Sequence, residues 1–452
     1  MSATLRNRAN WTFGLPKTLH AFGVNIFLLP LGIATSILIA RSVGPEGKGS
    51  LDLIVATSAL LGMVLAMSLP QGVTFVVAQG KVAANVLASQ LVVVSLLQAS
   101  AALIILSLLR FTPYFQKFLP DWGLWIVAGV VMYVWVDLSS KFWSGILAGQ
   151  QQIAVVNNAE FVGRVAQFVS IFILSAALYW SGSRLSVGVL FLVTLSASVL
   201  INLLQFVSLG FKFQLSRDFT GLKGAMNFAV PCYAANLAQF LNYKLDVFVV
   251  GFFAGTASVG RYTLAVSLGQ LLWLMSNSVA TVLLPKIAAS TDDGVSIRHT
   301  ARVTRLSLWA TAACGLALGL LATQAIPLAY GEAFRPSVMA LLWLLPGIVL
   351  FSVANVLAAY IAGIGKPRLN LLVSGVSLVV TISLDLLLIP RLNIVGAAIA
   401  STISYSLSAL LLVIFFRRET GAPLREILLP TSEDVRMLLS VARLRVSSES
   451  TV

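Results

Sequence analysis

Residues 84–109 read ANVLASQLVVVSLLQASAALIILSLL, without one charged side chain. At about 1.5 Å of rise per residue, a helix of this length covers the ~30 Å hydrocarbon core of a bilayer. A helix on a soluble core is apolar along one stripe, whereas this one is apolar on nearly every face. It reads as a transmembrane helix, and similar stretches recur along the chain. They fall at about 19–40, 51–78, 122–148, 153–180, 185–210, 225–254, 258–284, 304–330, 337–364, 369–389 and 394–416, which makes about twelve spans. The 452 residues are 58% hydrophobic and 10% charged, where soluble proteins carry about 25% charged residues. The expected fold class is an all-α integral membrane protein with about 12 transmembrane helices.

The loops are too short for a soluble domain. The longest outer one, Arg110 to Asp121, holds no catalytic set, which disfavours a membrane polymerase or ligase. His20 and His299 are far apart, and Cys232 and Cys314 fall in apolar stretches, where they read as small core residues. No metal site, cofactor or disulfide framework is expected. The reading is a transporter that does no covalent chemistry, and it is not an enzyme.

The net charge of +14 sits mainly in the loops between spans, and suits anionic headgroups better than nucleic acid. Lys and Arg favour the side of the termini by about two to one, which predicts cytoplasmic termini. Residues 1–18 resemble a charged leader, but the apolar run that follows is span-length and reads as a retained first helix. The tail 417–452 is basic, with an amphipathic pattern from Asp434 to Arg445.

The polar loop 211–224 divides the spans into lobes at 19–210 and 225–416, six and six. The halves echo each other. Val43-Gly44-Pro45-Glu46-Gly47-Lys48-Gly49 follows the first span, and Gly255-Thr256-Ala257-Ser258-Val259-Gly260 follows the seventh. Each turn leads into a span with a proline near its inner end, Pro70 and Pro285. Matched punctuation of this kind predicts an internal repeat.

These turns carry a resemblance. Ala40 to Gly49, Asp246 with Gly251 and Val259-Gly260-Arg261-Tyr262, then Gly365-Lys366-Pro367, Leu388-Ile389-Pro390 and Ile394 to Ala400 together resemble polysaccharide flippases, in the superfamily that also holds multidrug extruders and the lipid II flippase. The resemblance covers about residues 17–416. It implies two six-helix lobes around a central cavity that opens alternately to each side. It implies a bacterial inner-membrane location and a cargo of undecaprenyl-diphosphate bearing a short oligosaccharide. A polysaccharide polymerase and a chain-length regulator are the partners it implies. A multidrug or cation antiporter of the same superfamily is the nearest alternative, but its cavity should be acidic.

Ionisable groups inside spans cost roughly 2.5–3.5 kcal/mol near the centre, so they point to function. Asp137 and Lys141 are four apart on one span, and Glu160 and Arg164 are four apart on the next. Equal depth would let Lys141 face Glu160 and Asp137 face Arg164, as a four-charge clasp. The competing reading turns Arg164 toward a cavity to hold diphosphate. Lys244 and Asp246 are two apart and point in different directions. Lys244 is a candidate cation for diphosphate. Asp246 is a candidate proton or sodium coupling site, with a structural anchor as the other reading. Asn236, Gln239 and Asn242 recur every three residues, either as a wet face for sugar hydroxyls or as interhelical hydrogen bonding. Pro30 and Pro231 are candidate hinges. Asp52 and Asp385, near the outer ends of their spans, read as hydrated.

Overall fold

The computed structural model describes residues 15–80, 82–112, 123–181, 185–210, 213–214, 216–289 and 293–431. The leader-like basic residues Arg6 and Arg8, the turn at 182–184 and the amphipathic tail from Asp434 lie outside the described residues. All regular structure among the described residues is helical. The helices are α1 (Leu15–Ala66), α2 (Leu69–Ala78), α3 (Ala84–Arg110), α4 (Leu124–Gly149), α5 (Ile153–Ser181), α6 (Val187–Ser208) and α7 (Thr220–Ala254). They continue as α8 (Thr256–Gln270), α9 (Trp273–Ala289), α10 (Asp293–Tyr330), α11 (Pro336–Gly363), α12 (Pro367–Thr420) and a short α13 (Leu424–Leu428). Helices are the open-ended solution in lipid, because each satisfies its own backbone polar groups.

Among the described residues, nine helices are long and apolar enough to cross a membrane, or ten when α8 and α9, bent by 49°, count as one span. Two of the nine are each two helices joined at a single non-helical residue, Gly44 (φ 66°) in α1 and Asn393 (φ 55°) in α12. Opening both joins raises ten to twelve, the number expected. Glycine and asparagine are residue types that tolerate positive φ. α1 remains helical through Pro30, and its break falls at Gly44. Leu97, Leu108, Leu316 and Leu320 are each about two-thirds exposed, as lipid-facing side chains should be. The chain is a multi-pass membrane protein.

The chain forms two compact units. One comprises residues 1–43 and 57–233, the other residues 44–56 and 234–452. The division thus falls inside α1 and inside α7, two residues after Pro231, whereas the polarity of the sequence places it at the loop 211–224.

In the first unit, α2, α3 and α4 enclose Leu69, Val73, Leu87, Leu91, Phe142 and Ile146. Small residues set the helix spacing. A Cβ on Gly72 would lie 2.1 Å from the Ala225 carbonyl oxygen, and one on Gly145 2.8 Å from that of Pro70. Before α7, the Asp218 carboxylate accepts from the Thr220 N–H at 2.9 Å and from the Thr220 hydroxyl. These bonds hold its pKa below the usual carboxylate range.

In the second unit, α11 is the most enclosed helix, packed by α8, α9, α10 and α12. The two turns matched in the sequence pack on each other here, backbone to backbone. A Cβ on Gly49 would lie 1.8 Å from the Thr256 carbonyl oxygen, and one on Gly260 2.1 Å from that of Pro45. Beside them Lys48 is buried and pairs with Asp52 at 2.5 Å, and Asp52 also accepts from Thr263. Asp52 is therefore ion-paired rather than simply hydrated, because Lys48 one turn back reaches it first. Cys314 is exposed on α10, not a core residue, and Cys232 is half-buried; both are free thiols.

α13 is strapped to α10. Arg305 donates to the Glu426 carbonyl, Trp309 Nε1 donates to the Leu428 carbonyl at 2.9 Å, and Ile427 is fully buried. Removing both donors in an Arg305→Ala, Trp309→Phe double variant should raise the rate of limited proteolysis near residue 424 severalfold. An unchanged cleavage rate would show that apolar burial alone holds the strap.

Candidate functional site

The chemistry of the second unit collects along a buried polar seam. The first half of α12 carries Ser374, Ser377, Thr381 and Asp385 at spacings of three and four, which place them on one helix face. After the break at Asn393, the second half carries Ser401, Ser404 and Ser408 in the same rhythm. The halves face each other. Ser377 and Ser408 hydroxyls lie 2.6 Å apart, those of Thr381 and Ser404 lie 2.7 Å apart, and Ser404 lies 3.1 Å from the Ser377 carbonyl. A close crossing permits this: a Cβ on Gly396 would lie 2.5 Å from the Leu388 carbonyl oxygen.

α7 lays Asn242 and Asp246, one turn apart, along the seam. Asn242 accepts from Thr381 at 2.9 Å and donates to the Ser374 carbonyl at 3.4 Å. The Asp246 carboxylate accepts from the Tyr262 hydroxyl at 2.5 Å, from the Val247 N–H at 2.8 Å and from Ser401 at 3.4 Å. Asp385 is fully buried, and neither of its carboxyl oxygens has a hydrogen-bond partner among the described residues. This corrects its reading as a hydrated residue. Its position near the end of a span says nothing of the neighbours that enclose it, and here they leave neither carboxyl oxygen exposed. A buried polar group without a partner costs several kcal/mol, by rough transfer estimates, so Asp385 marks a site that calls for a ligand or a proton.

Next to the seam a cleft of about 420 Å³, partly open, runs between α7, α11 and α12. Gln239, Asn242, Asn355 and Asn370 bring amides to it, and Tyr243 and Phe351 bring rings. Behind the rings stands Trp273, its ring 5.5 Å from Tyr243 and 4.9 Å from Phe351, fixed by a 3.1 Å bond from Nε1 to the Ile348 carbonyl. Of the three-residue repeat on α7, Gln239 and Asn242 line this cleft and Asn236 does not. Those two side chains bond neighbouring groups and also border the open space.

The four-charge clasp does not form. Lys141 pairs with Asp137 at 2.6 Å on its own helix. Glu160 and Arg164 are exposed on α5 and make no ion pair within 4 Å among the described residues. The physical reason is packing. α5 sits chiefly on α6, where a Cβ on Gly163 would lie 2.2 Å from Ile201, so equal depth on α4 and α5 does not become contact. Lys244 is half-buried and makes no hydrogen bond or ion pair among the described residues.

Asp385, Tyr262, Thr381 and Asn370 are the site residues that sequence reasoning missed. The signal was available for three of the four. A polar residue every third or fourth position through an apolar span, as from Ser374 to Asp385, marks a polar face, and Tyr262 sits in the quoted turn motif.

Residues 150–339, from the end of α4 into α11, match the family described as Polysaccharide biosynthesis protein. Among solved structures, the chain is similar to the lipid II flippase MurJ in an inward closed conformation. That likeness has a TM-score of 0.71 at 16% identity and covers 90% of this chain and 88% of that one. It is also similar to an inward-facing multidrug resistance MATE family transporter of the MOP superfamily, with a TM-score of 0.69 at 18% identity over 86% and 94% of the two chains. A Vibrio cholerae MATE transporter variant gives 0.58 at 14% identity over 90% and 96%. No curated protein matches by sequence. The chain has the two-lobe fold of these proteins, and the match and the neighbours support its resemblance to polysaccharide flippases.

Proposed function

We propose that this chain, with the two-lobe fold of those flippases and exporters, moves undecaprenyl-diphosphate-linked oligosaccharide repeat units from the cytoplasmic to the outer leaflet of a bacterial inner membrane. It does so by alternating access, with both termini in the cytoplasm and no covalent step of its own. It works beside a polysaccharide polymerase and a chain-length regulator.

The observation that carries the reading is which intramembrane charges are left unpaired. Asp52 and Asp137 are ion-paired, and Asp246 and Asp385 are buried. Arg164 and Lys244 have no ion-pair partner within 4 Å among the described residues, against one such acid, Glu160. A cation exporter would need the opposite balance. An anionic head such as a diphosphate suits Lys as a point charge and Arg as a planar fork. Asp246, with Asp385 nearby in electrostatic reach, is the proposed coupling site for a proton or sodium ion. Carboxylate oxygens are the hard ligands or proton acceptors that such coupling needs.

The test is complementation. Cells lacking the chain should accumulate the lipid-linked oligosaccharide and lose surface polysaccharide, and expression should restore it. Restoration of drug resistance alone would replace this reading with the antiporter. Asp246→Asn keeps the size and the hydroxyl contact. It should fold normally yet lower export at least tenfold, and lose any dependence of transport on the ion gradient. Export unchanged in this variant would leave Asp246 a structural anchor.

A further inference from the structure

We infer that the cleft between α7, α11 and α12 is a subsite for an uncharged sugar ring of the cargo. The inference rests on the flippase reading above and names where sugar identity is read.

Three ligand chemistries can be weighed against the lining. Among the described residues no charged side chain lines the cleft, and Lys244, though next to Tyr243 in sequence, is not part of it, so a diphosphate would meet no cationic side chain there. An organic cation would likewise meet no carboxylate in this lining and would leave most of the amides unused. A purely apolar molecule, such as a lipid tail, would leave amide groups facing it unpaired, at a cost in binding. A sugar ring meets every feature. Its hydroxyls donate and accept, as amides do, and its C–H face packs on an aromatic ring.

The amides are held as a binding site would hold them, each fixed by one or two bonds to neighbouring groups. Asn370 donates to the Ala358 carbonyl at 2.9 Å, while its Oδ1 is buried without a partner among the described residues. Asn355 donates to Ser276 at 3.1 Å. Gln239 accepts from Ser374 at 3.2 Å and donates to the Tyr243 hydroxyl, which locks the ring that forms the cleft wall. Preorganised donors and acceptors of this kind give specificity, because an analogue lacking one hydroxyl leaves a polar group stranded.

The experiment uses the full chain in lipid nanodiscs. Two probes are compared: a panel of methyl glycosides of hexoses and N-acetylhexosamines, followed by saturation-transfer NMR, and undecaprenyl diphosphate without sugar. At least one glycoside should bind, and Asn370→Leu should weaken it tenfold or more while undecaprenyl diphosphate binds within twofold of wild type. Ser374→Ala, a smaller change at the cleft, should weaken the glycoside severalfold and guards against a folding defect in the first variant. If undecaprenyl diphosphate binds and no glycoside does, or if glycosides bind the variants as well as wild type, the sugar subsite is wrong and the flippase reading stands. If neither probe binds, both fall.

Discussion

Gly260→Ala should yield almost no folded protein. The new methyl group would lie 2.1 Å from the Pro45 carbonyl oxygen and 2.8 Å from the Gly49 nitrogen, distances that no atoms adopt without moving backbone. Overpacking ordinarily costs about 1–3 kcal/mol when side chains can shift, and here the obstacle is main chain on both sides. Gly49→Ala, with its Cβ 1.8 Å from the Thr256 carbonyl oxygen, should fail in the same way. Gly375→Ala is the control. Nothing lies within 4 Å of a Cβ at that position, and Ala is favoured over Gly in a helix by about 1 kcal/mol, so this variant should be as stable as wild type or slightly more so. Monodisperse yield and melting temperature in detergent check all three. A normal yield and melting temperature for Gly260→Ala would mean that the two turns are not packed as described.

Lys244→Ala should leave the fold intact and lower polysaccharide export by about ten- to a hundredfold, the range expected when a charged hydrogen bond worth ~1.5–3 kcal/mol is lost. The separation of folding from function is the informative part. Lys244 makes no hydrogen bond or ion pair within 4 Å among the described residues, so its removal breaks no such contact. Asp246 keeps its bonds to Tyr262, Val247 and Ser401. Lys244→Arg, which keeps the charge, should recover part of the export. Equal export by wild type and Lys244→Ala at matched protein levels would remove this residue from the mechanism.

Much of this architecture is legible in the sequence, for a physical reason. Hydrocarbon thickness fixes span length, so windows such as 84–109 announce themselves, and the breaks at Gly44 and Asn393 fall where turn residues interrupt apolar runs. The matched turns at Gly44–Gly49 and Gly255–Gly260 are also legible as echoes; their backbone contact is not. Contact between helices depends on which faces meet, and spacing along one helix does not determine that. The clasp of Asp137, Lys141, Glu160 and Arg164 fails on this ground, since matching depth on neighbouring helices left their facing directions open. Asp385 is the converse case. Its place near a span end suggests water, while the facing halves of α12 bury it. The cleft at Gln239 and Asn242 is completed by Asn355 and Asn370 from two other helices, and only the fold brings those together.

The most direct measurement is transbilayer movement in proteoliposomes containing the purified chain and a fluorescent undecaprenyl-diphosphate oligosaccharide, followed by its exposure to a membrane-impermeant quencher. The account predicts that the quenchable fraction rises toward complete exposure with the chain present, that it stays near half in empty liposomes, and that Lys244→Ala slows the rise. A quenchable fraction fixed near half with well-folded protein, together with gradient-driven movement of a cationic dye, would contradict it.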